Sequence, residues 1–218
     1  MIDLHTHTFF SDGSLGPAEL IRRAAVSGYH AVAITDHADN SNIIWLLSNL
    51  VPVVDELGTT NDMEVLAGVE LTHVAPDSIA AATRLAREQG AQLVLVHGET
   101  IVEPVKPGTN RAAIEAGVDI LSHPGLISAE EVQLAAEKGV CLEITTRRGH
   151  SLTNGHVAKM ALHYGAKLVI NNDAHAPGDQ VSLERMRKIA FGAGMTEEQF
   201  AQAQRNSAEL VARARERQ

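Results

Sequence analysis

The chain has one cysteine, Cys141, and aromatic residues make up only 3% of its 218 positions. A single cysteine excludes an intramolecular disulfide framework. Its place in an apolar, strand-like run fits a space-filling residue in a reducing compartment better than a nucleophile. So few aromatics leave little material for base-stacking platforms. Basic residues are outnumbered, with 18 Lys and Arg against 27 Asp and Glu, and the net charge of −9 argues against a general nucleic-acid-binding surface. It does not exclude an anionic substrate, because divalent cations gathered in one pocket reverse the local sign of the field. No apolar run approaches bilayer-crossing length, and the acidic, histidine-bearing N-terminus lacks the basic-then-apolar order of a secretion signal. A cytoplasmic protein without a membrane partner is the expectation.

What is present is a 44% apolar chain long enough for a substantial core, with no break in composition, read as a single domain over residues 1–218. Short apolar runs at residues 31–37, 63–70, 92–97, 118–123, 140–145 and 167–175 follow a first run at the N-terminus. Helical patterns separate them, and one is announced by the capping pair Ser128 and Glu131. The last of these patterns, from about residue 181 to 218, is read as helices packing on the barrel. Strands alternating with helices imply a parallel sheet, and about seven such units favour a closed or nearly closed barrel, a TIM-like (β/α) fold. In such barrels chemistry sits where the strands end and the βα loops begin.

Those ends carry an unusual set of residues. In an extended first strand, Asp3, His5 and His7 share one face and Ile2, Leu4 and Thr6 the other, which puts potential metal ligands side by side. Asp12 follows in the first loop. His37, Glu70, His97 and His123 then end four successive strands, and Asp173 and His175 share a face at the seventh. Each residue alone has a structural explanation, such as a buried histidine satisfied by a carbonyl or a carboxylate capping a helix. Nine converging at one rim would repel or stay unsatisfied without cations between them. Mixed imidazole and carboxylate donors suit Zn, Mn or Fe better than Mg or Ca, and the absence of cysteine points away from a closed structural zinc site.

The motifs His5-Thr6-His7 with Ser11-Asp12-Gly13, Thr35-Asp36-His37, Gly68-Val69-Glu70, Val96-His97-Gly98, Ser122-His123-Pro124 and Asp173-Ala174-His175 resemble, in order, those of the PHP (polymerase and histidinol phosphatase) superfamily. The resemblance implies a distorted (β/α)7 barrel and a centre of three divalent metals. Carried over position by position, His5, His7, Glu70 and Asp173 would hold one ion. Glu70 would bridge to a second held by His97 and His123, and Asp12, His37 and His175 would hold the third. It also implies a metal-dependent phosphoesterase, most simply a phosphomonoesterase for a small phosphorylated substrate. On that reading a water held between two ions would lose its proton near neutral pH and serve as the nucleophile towards phosphorus, with Glu70, Asp173 and His175 acting through the metals. Two rivals stand beside this reading: an amidohydrolase-like hydrolase, although no lysine ends the first six strands, and a non-catalytic, metal-stabilised module.

Beyond the ligands, Arg147, Arg148 and His150 leave the sixth strand at the same end, where a guanidinium could grip a phosphate in bidentate fashion; a solvated loop charge is the alternative. Asn171, Asn172 and Glu143 are candidates to orient ligands. His73 and Glu99 lie just past strand ends, Glu99 as a possible general acid. His30, His156 and His163 fall in or beside helices and read as surface or capping residues.

Overall fold

The structure, a computed structural model, describes residues 1–217; the expected bound of the domain, Gln218, lies outside them. Seven parallel strands, β1 (Ile2–Thr6), β2 (Ala31–Ile34), β4 (Glu64–Leu71), β5 (Leu93–His97), β6 (Ile120–Ser122), β7 (Cys141–Thr145) and β8 (Leu168–Asn171), pair in that order. A two-residue strand, β3 (His37–Ala38), pairs with β4 off this path. A bridge between Thr6 and Ala174 brings the first strand beside the last, so the sheet curls into a nearly closed barrel of the expected TIM-like kind. Where the apolar run at 31–37 predicts one strand, the chain leaves the sheet at Thr35 and Asp36 and re-enters as β3.

Helices α1 (Pro17–Val26), α2 (Ile43–Leu50), α3 (Val54–Asn61), α4 (Pro76–Glu88), α5 (Thr109–Ala116), α6 (Ala129–Lys138) and α7 (Asn154–Tyr164) fill the connections, followed by α8 (Leu183–Gly192) and α9 (Glu197–Arg215). The helical pattern that Pro52 interrupts becomes two helices, as a proline inside such a pattern dictates. The Ser128 and Glu131 pair forms a full capping box, each side chain serving the other's backbone N–H. Among the described residues, no helix is long and apolar enough to cross a membrane.

Two apolar clusters divide the core. The larger lies between the outward faces of the strands, such as Val32, Val65, Val94 and Leu142, and the helices around them. The smaller takes inward residues from every strand of the barrel path, Ile2, Leu4, Ala33, Leu66, Leu93, Leu95, Ile120, Cys141 and Val169, together with Leu210, Val211 and Ala214 of α9. Ion pairs join α9 and the residues after it to the beginnings of strands: Arg215 meets Glu64 at 2.9 Å and Arg217 meets Asp119 at 2.9 Å. Helix α9 therefore lies across the N-terminal end of the barrel, opposite the end where strands hand over to βα loops.

Register in β1 departs from simple alternation. Ile2 and Asp3 pair with Ala31 and Val32, but Thr6 pairs with Ile34, so β1 carries one residue more than β2 over the same stretch. This bulge shifts the phase of the strand. Ile2 and Leu4 point into the interior cluster, and after the bulge His5 faces inward as well. Asp3, expected on the histidines' face, instead accepts hydrogen bonds from the Asn172 backbone N–H at 3.1 Å and its side-chain amide at 2.7 Å.

Because Leu210 is 1% exposed and seals the interior cluster, Leu210→Ala should lower unfolding free energy by about 2–5 kcal/mol in urea titration. A loss below about 1 kcal/mol would mean α9 does not close the barrel. Burial pushes the Cys141 thiol up to about 12, so a thiol reagent at pH 8 should leave the folded protein unmodified and react only after denaturation. Rapid labelling of native protein would contradict that packing.

Candidate metal centre

All nine residues singled out as metal ligands meet at the C-terminal end of the barrel. Glu70 is fully buried on β4, and its Oε1 lies 3.2 Å from His5 Nε2 and 3.5 Å from His123 Nε2. Its Oε2 lies 2.9 Å from His37 Nδ1 and 3.8 Å from His7 Nε2. Asp173 stands opposite: Oδ1 is 3.3 Å from His7 Nε2 and 3.3 Å from His175 Nδ1, and Oδ2 is 3.6 Å from His123 Nε2. Asp12 reaches back from the first loop to His175 Nε2 at 3.1 Å and His37 Nε2 at 3.5 Å. His97 lies edge-on to His123 with ring centroids 4.4 Å apart.

Four sets of side chains present ligand atoms within 4.8 Å of one another: His5, His7 and Glu70; His5, His123 and Asp173; His7, Asp12, His37 and His175; and His97, His123 and His150. The donor chemistry fits divalent cations. Among the described residues, nine buried side-chain polar atoms lack a hydrogen-bond partner, and seven belong to His5, His7, Glu70, His123 and Asp173. Leaving so many buried polar atoms unpaired costs roughly 1–3 kcal/mol each, whereas a cation between them satisfies several at once.

The charges of these side chains are interlocked. Burial raises Asp173 well above the usual carboxylate range, with Glu70 nearby adding to the effect. Burial also works to raise Glu70, but His5 and His37 beside it hold it well below its ordinary value. Burial and the neighbouring imidazoles push His7 and His123 well below theirs. His5 goes the other way: burial works to lower it, yet Glu143, Glu70 and Asp173 around it raise it well above the ordinary value.

Local structure aims these groups. Glu143, inward on β7, lies 2.8 Å from His5 Nδ1, accepts from the Asn171 amide at 2.8 Å and accepts from the His123 backbone N–H at 3.1 Å. It fixes one imidazole ring and the backbone of another. Asp36 accepts from the Thr8 backbone and hydroxyl and from the Ser11 hydroxyl, each at 2.7 Å, and so clasps the loop that carries Asp12. A Cβ at Gly13 would collide with the His7 carbonyl, and one at Gly98 with the Ser122 carbonyl. Both turns therefore close against the centre only with glycine. His123 and Asp173 hold positive φ angles of 25° and 52°, sparsely populated by residues with side chains.

The remaining sequence candidates divide. Arg147 reaches the centre: Nη1 donates to the Asp173 carbonyl at 3.0 Å, and Nε lies 3.6 Å from Asp173 Oδ2. Arg148 is exposed, with no hydrogen bond or ion pair among the described residues. His150 is buried and stacks on His123. Glu99 accepts from the backbone N–H groups of Gly108 and Asn110 at 3.0 and 2.9 Å, so it organises the start of α5. His73 is exposed, stacked 5.7 Å from His97. His30, His156 and His163 lie elsewhere, His30 against the N-terminal amine and His156 against the Ile127 carbonyl. Sequence reasoning passed over Glu103, whose carboxylate meets both His97 and His150; its one sequence signal is its place in the loop that follows His97. A cavity of about 500 Å³ at the other end of the barrel, lined by His30, Asp55 and Arg215 among others, contains none of the nine.

Residues 3–103 match the PHP domain family. An uncharacterized protein of Methanocaldococcus jannaschii is 49% identical over 200 residues, covering 91% of this chain and 92% of that one. A probable phosphatase of Shewanella sp. is 30% identical over 215 residues, covering 86% and 81%. The chain belongs to the PHP family. Its barrel is also similar to that of histidinol phosphate phosphatase from Lactococcus lactis, solved with Zn, L-histidinol and phosphate: the TM-score is 0.62 at 15% identity, over 89% of this chain and 94% of that one. At that identity the likeness speaks for the fold, and this PHP chain's own side chains must carry the chemistry.

If the unpartnered atoms await cations, adding Mn or Zn to chelator-treated protein should raise its melting temperature, with about 2.7 kcal/mol of added stability at a hundredfold excess over the dissociation constant. Glu70→Gln should abolish most of that increment. Equal metal-induced shifts in wild type and variant would remove Glu70 from the centre.

Proposed function

We propose that this PHP protein is a metal-dependent phosphoesterase, acting on phosphomonoesters at a centre of three divalent ions. The observation that carries the proposal is Glu70, a fully buried carboxylate approached by imidazoles on both oxygens and satisfied by no hydrogen bond. One ion falls to His5, His7, Glu70 and Asp173, a second to Glu70, His97 and His123, and a third to Asp12, His37 and His175. The groupings within 4.8 Å contain the third set whole, with His7 added, and put His97 with His123 and His5 with His7 and Glu70, which supports that division in part. Zn, Mn or Fe fits these donors. When bound, such ions lower the pKa of coordinated water towards neutrality and neutralise charge on phosphoryl oxygens.

The chain's own residues supply the rest. Glu143 holds the His5 ring through Nδ1, so that Nε2 faces Glu70 and Asp173. At the opposite side the Thr72 hydroxyl lies 2.7 Å from His37 Nδ1, the nitrogen that also faces Glu70, while Nε2 faces Asp12. Arg147, 29% exposed, is held through Nη1, which donates to the Asp173 carbonyl and stands 3.5 Å from Asp179. Its remaining N–H donors can meet a substrate phosphate at the rim, a role for which Arg148 has the charge but no anchoring. The name of the Shewanella relative, a probable phosphatase, supports phosphate ester chemistry over the amidohydrolase alternative.

A screen of phosphate esters with added Mn or Zn should reveal phosphomonoesterase activity that chelation abolishes and metal restores. Activity insensitive to chelator, or hydrolysis of amides alone, would overturn the reading. Arg147→Ala should raise KM about tenfold or more, the loss of a charged hydrogen bond, with metal content unchanged. Arg148→Ala should change KM less, and an unchanged KM in the Arg147 variant would take that guanidinium out of the site.

A further inference from the structure

The surroundings of His150 differ from those of a residue waiting for substrate. It opens the short 3-10 turn His150–Thr153 after β7 and is only 6% exposed. Its ring lies nearly flat on that of His123, with centroids 4.2 Å and planes 19° apart, and His97 meets the pair edge-on. One ligand atom from each of the three rings lies within 4.8 Å of the others.

The hydrogen bonds decide which nitrogens face inward. His150 Nδ1 lies 2.8 Å from the Thr100 hydroxyl, and His97 Nδ1 lies 3.2 Å from the Gly98 carbonyl oxygen. A carbonyl can only accept, so His97 carries its proton on Nδ1 and leaves the Nε2 lone pair free; Thr100 can hold His150 in the same tautomer. Both Nε2 atoms then meet one carboxylate. Glu103 Oε2 is 3.1 Å from His97 and Oε1 is 3.4 Å from His150. Between the two rings, the buried Nδ1 of His123 has no partner in the chain. Ring nitrogens held in place from behind, converging on a shared point with a carboxylate across it, are the arrangement of a transition-metal ligand set.

We propose that the ion assigned to His97 and His123 has a third imidazole ligand in His150, with Glu103 as a further donor from the loop after β5. This rests on the metal reading of the proposed function in one respect, that a cation is bound there at all. It gives His150 a place in the metal's own coordination instead of the phosphate-binding role its sequence position suggested. It also gives Thr100 and Glu103 defined tasks: Thr100 fixes the His150 ring, and Glu103 ties two loops to one ion.

The test reads metal binding without substrate. Wild-type protein and the variants His150→Gln, Thr100→Val and Glu103→Gln are loaded with Zn or Co, and ion content and affinity are measured by competition with a chelator. The Co(II) visible spectrum and Zn-edge X-ray absorption report the donors. In His150→Gln one ion should bind at least tenfold more weakly with a changed Co spectrum, while the others hold. Thr100→Val should weaken the same ion by less, and Glu103→Gln should alter the spectrum. A His150→Gln protein that keeps wild-type affinity and spectrum overturns the proposal, and a raised KM alongside would return the ring to substrate binding. Should that variant not fold, the other two decide: wild-type affinity and spectrum in both overturn the proposal equally. A wild-type chain that takes up no divalent ion overturns the metal reading and this inference with it, whereas the variant results bear on this inference alone.

Discussion

A carboxylate with no exposure, met by four imidazole rings at 2.9–3.8 Å, imposes a condition that the rest of the barrel has to meet. Removing Glu70 from water costs several kcal/mol, recovered only if positive charge stands close on both of its oxygens. The rings come from β1 and the residue just past its end, from β3 and from the loop after β6, so no single element can satisfy the condition. The sheet must curl far enough to bring strands distant in sequence to one point, and the Thr6 to Ala174 bridge does this by setting β1 beside β8.

The barrel meets this condition with a gradient of polarity along its axis. Reading inward positions from the start of each strand to its end, β4 goes from Leu66 to Glu70, β5 from Leu93 and Leu95 to His97, β7 from Cys141 to Glu143, and β8 from Val169 through Asn171 to Asp173. The lower layer is aliphatic and sealed by α9. The upper layer is polar and buried just as deeply, so nearly every polar group there needs a partner. Glu143 and Asn171 form the boundary between the layers. They hydrogen-bond to each other and to His5, Leu4 and His123, and so turn the change of polarity into a fixed orientation for the ligand rings.

That gradient is why so much of the site is legible in the sequence. Strand residues two apart share a face, so apolar runs whose inward positions turn to His, Glu or Asn announce a polar layer above an aliphatic one, and β4, β5, β7 and β8 obey the rule. It fails where the backbone breaks its own period. The β1 bulge puts Leu4 and His5 both inside and moves Asp3 off the face of the histidines, and nothing in Asp3-Leu4-His5 signals an extra residue against β2. Loops are less legible still. Glu99 and Glu103 sit in the same loop at the same end of the barrel, yet one braces a helix start and the other faces two histidines, because tertiary contacts decide where a loop carboxylate points.

The two ends of the molecule carry different burdens. At the α9 end the parts agree: apolar side chains are buried and ion pairs lie at the edge. At the other end, unpaired polar atoms, left-handed φ angles at His123 and Asp173, and imidazoles stacked within 4–5 Å of one another all oppose folding of the bare chain. Strain of this kind, on the order of 1–3 kcal/mol at each site, persists only where the surrounding structure over-determines it. Here the surrounding structure is the rigid aliphatic layer below and the clasps formed by Asp36 and Glu143 beside it. A barrel whose upper half were packed like its lower half would be more stable, but it would have no concentrated set of lone pairs to offer a cation. The disposition of strain therefore argues for function at this rim independently of any resemblance to other proteins.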